Sequence, residues 1–172
     1  TLLGTGSSIT LTPSLAQPED EILCTASVTD GYGATATDTA TVTVSNNAPV
    51  IDSISITPSL AYNNDTLSCV VASSDADNQT LTTTYVWSND TQGSTLGTSS
   101  SLTLDSNTAS RSDVISCAAT VTDPTGDSVS GTASLTLGNR APDSPTVTID
   151  PLVGYVNSTL TCTPSTGVDS DG

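Results

Sequence analysis

The sequence predicts an all-β fold built from small tandem β-sandwich domains on a 93-residue period. Two observations carry this reading. Short stretches alternate apolar and polar residues with period two and no comparable helical stripe. The chain also matches itself at one fixed spacing, the signature of a repeat array.

Cys24 and Cys117, Ala48-Pro49 and Ala141-Pro142, and Cys69 and Cys162 all lie 93 residues apart. The same spacing relates Gly4 to Gly97, Leu11 to Leu104, Thr29-Asp30 to Thr122-Asp123, Pro58 to Pro151, Tyr62 to Tyr155 and Asn64 to Asn157. The Ala-Pro pairs of NNAPV and NRAPD mark joints, because a residue before proline is pushed toward extended geometry and proline cannot join a central ladder. One complete repeat then spans 47–139. It follows the C-terminal part of a repeat, 1–46, and precedes the N-terminal part of another, 140–172. On this reading the chain starts and stops inside domains.

Along the complete repeat the strand signals come at the short, regular spacing of a sandwich. Ile54 and Ile56 alternate with serines, and Leu67, Cys69 and Val71 alternate with polar or small residues. Tyr85 and Trp87 share a face, and Leu102 and Leu104 follow. Ile115, Cys117, Ala119 and Val121 share another, as do Val129, Gly131, Ala133, Leu135 and Leu137. In the first segment Ile22, Cys24 and Ala26 form a matching face. Serine and threonine supply 60 of the 172 residues, and threonine on the outward faces keeps strands soluble without further function.

Composition excludes several classes. With 18 acidic residues against 2 basic ones the net charge is −16, which repels phosphate backbones, so nucleic acid is not an expected partner. No apolar stretch approaches the twenty residues of a membrane span. The start, TLLGTGSSIT, lacks the basic and apolar regions of a secretory signal, so any targeting segment is expected outside this sequence.

Cys69, Trp87 and Cys117 follow one another in the order that resembles the core of immunoglobulin-like (Ig-like) sandwiches, where an inter-sheet disulfide packs against a tryptophan. That resemblance implies a Cys69–Cys117 bond; two buried free thiols are the weaker alternative. Metal ligation by the cysteines is disfavoured, since the chain has no histidine and its cysteines are not closely paired. A disulfide implies an oxidising, extracellular or cell-surface setting. By the period, Cys24 and Cys162 expect partners outside the chain or in a neighbouring subunit.

The stretches SVTDGYGATATDTATVTVSNNAPV (27–50), ATVTDPTGDSVSGTASLTLGNRAP (119–142) and SSDADNQTLTTTYVW (73–87) resemble polycystic-kidney-disease-type (PKD-like) and cadherin-like repeats of bacterial or archaeal surface proteins. The PKD pattern continues after its tryptophan with Asp-Phe-Gly-Asp-Gly, whereas Trp87 is followed by SNDTQG. The resemblance implies stalk, adhesive or accessory modules.

Calcium is the one candidate cofactor. Asp75, Asp77 and Asn78, echoed by Asp169 and Asp171, together with Asp30 and Asp123, could supply oxygen ligands near the joints. The plainer reading is turn chemistry, since Asp and Asn favour turns by local hydrogen bonding. Asn64, Asn78, Asn89 and Asn157 open Asn-x-Ser/Thr triplets and are candidate N-glycan acceptors, although such triplets arise by chance in so Ser/Thr-rich a chain. No catalytic residue is expected: without His or Lys no ordinary base serves a serine nucleophile, and the aspartates suggest turns rather than a glycosidase cleft.

The expected function is therefore a non-catalytic structural repeat segment of an extracellular fibre, stalk or filament, partnered by copies of itself or by neighbouring repeats. The rival is an adhesin or carbohydrate-binding spacer. Its aromatic contacts would have to come from Tyr32, Tyr62, Tyr85, Tyr155 or Trp87, of which Tyr62 and Tyr155 read more simply as joint-packing residues.

Overall fold

The structure is a computed structural model and describes residues 1–171; Gly172, the last residue of the predicted segment 140–172, lies outside them. Eleven strands and no helix are present among the described residues. They are β1 (Glu21–Thr29), β2 (Thr35–Thr43), β3 (Val50–Thr57), β4 (Thr66–Ser74), β5 (Thr82–Asn89), β6 (Ser94–Gly97), β7 (Ser101–Thr103), β8 (Val114–Thr122), β9 (Ser128–Thr136), β10 (Val147–Asp150) and β11 (Thr161–Pro164).

β1 and β2 form an antiparallel hairpin, as do β10 and β11. The remaining strands form a three-stranded sheet in the order β3-β4-β7 and a four-stranded sheet in the order β6-β5-β8-β9. The predicted alternation is visible in the burial of these sheets. Leu67 and Cys69 on β4, Trp87 on β5, and Ile115, Cys117, Ala119 and Val121 on β8 are buried, with exposed or half-buried residues between most of them. Among the described residues, every buried apolar side chain except Ala16 and Pro49 belongs to the stretch between Ile56 and Leu137.

By compactness the chain divides into two units. One comprises Thr1–Ile54, Val70–Tyr85 and Ala118–Thr132; the other comprises Ser55–Cys69, Val86–Cys117 and the chain from Ala133 onward.

The first unit holds two hairpin turns of one design. Asp30 Oδ1 accepts the backbone N–H of Tyr32 and of Ala34, and Gly33 takes a φ of 88°. Ninety-three residues on, Asp123 Oδ1 accepts the N–H of Gly126 and of Asp127, and Gly126 takes a φ of 100°. An aspartate that caps its own turn leaves the following positive-φ position to glycine, which explains the shared Asp-x-x-Gly spacing. In the same unit a Cβ on Gly131 would stand 3.3 Å from Ile51, so the small residue lets that side chain approach β9.

The second unit holds the staple. Cys69 on β4 and Cys117 on β8 are disulfide-bonded, joining a strand of the three-stranded sheet to one of the four-stranded sheet. Trp87 is fully buried, and its indole N–H donates to Ser99 O at 2.8 Å. The β5–β6 pairing shifts register at Trp87/Ser88, an irregularity beside the largest core side chain. β6 itself, Ser-Thr-Leu-Gly, is too short and too polar to have carried a sequence signal.

Asp113 anchors a buried polar cluster in this unit. Its Oδ2 accepts from Asn89 Nδ2 at 2.7 Å, Gln92 Nε2 at 2.8 Å and the Ser110 N–H at 2.9 Å. Asn89 also donates to Thr108 O at 3.1 Å and is fully buried. This corrects the expectation that Asn89 accepts a glycan: its amide nitrogen is spent inside the fold, where no glycan can reach it. The residue shares the inward face of β5 with Trp87, two positions away, a placement its sequence triplet concealed.

Two acids, Asp90 exposed and Asp123 buried, couple the fold to pH. Hydrogen bonds from Ser116 and then Ser88 hold the Asp90 carboxyl below its ordinary value of 3.8. Desolvation pushes Asp123 upward, but donors from Asn46, Thr125, Asp127 and Gly126 outweigh it and the net direction is again downward. A carboxyl depressed in the folded state contributes stability above its unfolded pKa and loses it as pH falls through the folded value. Denaturant midpoints should therefore hold steady at neutral pH and fall below about pH 4, and Asp90→Asn should flatten that acid limb.

Candidate functional site at the Ala-Pro joints

The residue before each Ala-Pro pair is gripped by the second aspartate of an Asp-x-Asp turn. At the first joint Asn47 donates its backbone N–H to Asp77 Oδ2 at 2.7 Å and its side-chain Nδ2 to Asp77 Oδ1 at 2.9 Å. The turn is held in shape by the Asp77 N–H, which donates to Asp75 Oδ1 at 2.7 Å. The preceding residue adds a second attachment: Asn46 Nδ2 donates to Asp123 Oδ2 and to Asp127 Oδ2, both at 2.8 Å. Pro49 is buried just beyond.

The second joint has the same plan with a charged side chain. Arg140 donates its backbone N–H to Asp171 Oδ2, and its Nη1 lies 3.0 Å from Asp171 Oδ1 in a salt bridge. The Asp171 side chain is fully buried, and its backbone N–H donates to Asp169 Oδ1 at 3.0 Å. Arg140 Nη2 also donates to Asn64 Oδ1, and the guanidinium stands 4.3 Å above the Tyr62 ring, a cation–π distance. Asn63 Nδ2 donates to Ser170 O at 3.2 Å, and the Gly138 N–H donates to Ala61 O at 2.8 Å. A Cβ on Gly138 would fall 3.0 Å from the Tyr62 ring, so glycine makes room for the aromatic.

Both oxygens of Asp77 and of Asp171 are thus engaged by linker donors, and an oxygen of Asp75 and of Asp169 closes the turn. Calcium requires six to eight oxygens. Among the described residues no three acidic, cysteine or histidine side chains converge as metal ligands. The engaged oxygens form a hydrogen-bonded clamp, and Asp75 Oδ2 and Asn46 Oδ1 are buried without a hydrogen-bond partner. Asn78 lies outside the grip, exposed at a φ of 55°.

The remaining singled-out residues separate in space and exposure. Asn64 and Asn157 are exposed, the latter at a φ of 75° in a turn where the Tyr155 N–H donates to Ser158 Oγ. Tyr32 and Tyr155 are exposed, Tyr85 is half-buried, and Tyr62 lies under Arg140. Cys24 and Cys162 are free and exposed. The sequence reading did not assign Asn46, Asn47, Asp127 or Arg140 a role. The recurrence of a long polar donor immediately before Ala-Pro was the available signal.

A disulfide-bonded all-β protein with clamped Ala-Pro linkers is the class these features define. No family model matches the chain, and no curated protein matches it significantly. The disulfide is compatible with an oxidising compartment outside the cell. No helix among the described residues is long and apolar enough to cross a membrane.

Removing one clamp should loosen its joint. Asp77→Ala takes away a charged acceptor from two donors, a loss of about 1.5–3 kcal/mol per bond at its upper end and less where water replaces it. Amide hydrogen exchange at Asn47 should accelerate by tenfold or more, about 1.4 kcal/mol, while Trp87 and Cys117 keep wild-type protection.

Proposed function

We propose that the chain is a non-catalytic structural segment of an extracellular fibre, stalk or surface filament, made of tandem Ig-like or PKD-like sandwiches on a 93-residue period. Segment 47–139 is its complete domain, and 1–46 and 140–172 are parts of neighbouring ones. The observation that carries this reading is the pair of clamps. A protein whose role is spacing needs joints that hold, and here both Ala-Pro linkers are fastened by backbone and side chain to an Asp-x-Asp turn.

Recurrence of local geometry supports the repeat. Glu19 and Ser112, 93 residues apart, both take left-handed φ values of 72° and 66°. The Glu19 N–H donates to Val44 O as the Ser112 N–H donates to Leu137 O, and the Val44 N–H donates to Asp20 O as the Leu137 N–H donates to Asp113 O. The bounds of β1 and β2 become those of β8 and β9 when shifted by the period. The disulfide between strands of separate sheets and the full burial of Trp87 support the sandwich.

The rival spacer with a sugar site has less behind it. Trp87 is buried, and the Tyr62 ring is covered on one face by Arg140. Residual dipolar couplings test the structural reading at the first joint. Amides of the β1–β2 hairpin and of the β8–β9 turn should fit one alignment tensor in the wild type and two in an Asn46→Ala/Asp77→Ala variant. Independent tensors already in the wild type would overturn it, and glycan binding lost on Tyr62→Ala would favour the rival.

A further inference from the structure

We propose that Asn64 carries an N-linked glycan, which sets a sugar chain beside Arg140 in the linker that follows the complete repeat. This rests on the extracellular part of the structural reading and names a modification carried at its joints.

The repeat itself separates the four Asn-x-Ser/Thr triplets. Asn89 is fully buried and bonded to Asp113. Asn78 has no counterpart, since the period leads to Asp171, and its φ of 55° is a conformation that asparagine tolerates for its own sake. Asn64-Asp65-Thr66 recurs as Asn157-Ser158-Thr159. The two positions that define an acceptor are kept, and the free position between them changes. Several residues kept alongside them have a packing reason: Ile56, Leu67 and Cys69 are buried, and Tyr62 lies under Arg140. Asn64 and Thr66 are kept although both are exposed.

The Asn64 amide is already oriented for the bond. A guanidinium only donates, so the side-chain oxygen faces it: Arg140 Nη2 donates to Asn64 Oδ1. Asn64 Nδ2 is left without an acceptor among the described residues. A carboxylate at this position would bind the guanidinium more strongly than an amide oxygen does. What asparagine adds is the nitrogen, the atom that bonds to sugar. Thr66 opens β4, where its Oγ1 lies 2.9 Å from Thr103 Oγ1. Both residues belong to the complete repeat, and their neighbours across the linker, Arg140 and Asp171, are in place.

The donor is an oligosaccharide joined through its reducing-end C1 to a lipid pyrophosphate. The bond from Asn64 Nδ2 to C1 forms as the bond from C1 to the pyrophosphate oxygen breaks. Nδ2 gives up one proton, the lipid pyrophosphate leaves, and nothing is oxidised or reduced. The product is a bulky, hydrated chain on the residue that touches the Arg140 side chain. Trypsin must take that same side chain into its pocket to cut the Arg140–Ala141 bond, so the sugar and the protease compete for one place.

Secretion from yeast, which supplies such a donor, followed by glycopeptide mapping tests this. Most of the secreted wild type should carry sugar on Asn64. Thr66→Ala should lose it while keeping the Cys69–Cys117 bond and the wild-type circular dichroism. Trypsin should cut after Arg140 several-fold more slowly in the glycosylated wild type than in Thr66→Ala. Wild type made bare in a bacterial periplasm should be cut as fast as Thr66→Ala, which separates the sugar from the lost Thr66–Thr103 contact. A bare Asn64 in the secreted, disulfide-bonded wild type would sink the proposal, as would sugar that persists on Asn64 in Thr66→Ala. Equal cutting of glycosylated and bare wild type would overturn the placement beside Arg140. Any of these outcomes leaves the couplings at the first joint, and so the structural reading, unaffected.

Discussion

Replacing both Cys69 and Cys117 with alanine should cost the domain about 4 kcal/mol. The bond spans a sequence separation of 48, and closing a loop of that size removes roughly this much chain entropy, times temperature, from the unfolded state. Both residues are buried, at 5% and 0% exposure, so the substitution also removes core contacts. Marginal domains hold only about 5–15 kcal/mol in total, so the loss is a large fraction. Urea unfolding followed by circular dichroism should show a lower midpoint with the slope little changed. Reduction of the wild type should reproduce most of the shift, and a midpoint unmoved by either treatment would contradict the assigned role of the bond.

Trp87→Ala should be comparably severe, about 3–5 kcal/mol. The side chain is the largest of those fully buried, and it is the only tryptophan and one of few aromatic residues in the chain. Truncation opens a cavity and leaves Ser99 O without its indole donor. Trp87→Phe separates the two effects, since it retains much of the ring while losing the donor, and should cost about 1–3 kcal/mol. The wild-type emission offers an independent check. A lone buried indole should fluoresce at short wavelength and shift to the red in a single transition with unfolding. Red-shifted emission from the native protein would place the indole in water and revive a ligand-binding role for it.

Much of the strand content was legible in the sequence because strand burial imprints period two on apolar residues. Ile115, Cys117, Ala119 and Val121 announce β8, and Leu67 with Cys69 announces β4. The resemblance of the Cys-Trp-Cys order to Ig-like cores also pointed to the Cys69–Cys117 pairing. Polar residues were harder. Asn89 looked like a surface acceptor because its triplet matches a modification motif, yet Asp113, 24 residues away, draws it into the interior. Asp77 and Asp171 looked equally suited to a cation or a turn, and their actual donors, Asn47 and Arg140, are 30 and 31 residues distant. A carboxylate's partner depends on which segments meet, and local spacing does not encode that. In a background so rich in serine and threonine, polarity contrast was also too low to reveal β6.

The two flanking hairpins draw the boundary between these kinds of information. Alternation along Ile22, Cys24 and Ala26 was enough to specify a strand and the face it would bury. Whether that face is buried was decided only in three dimensions. The same pattern is dry on β8, where neighbouring strands and Cys69 meet it, and wet on β1, where only β2 does. Backbone pairing is satisfied within one hairpin, but removing apolar surface from water takes a second layer, and that layer comes from strands far away in the chain.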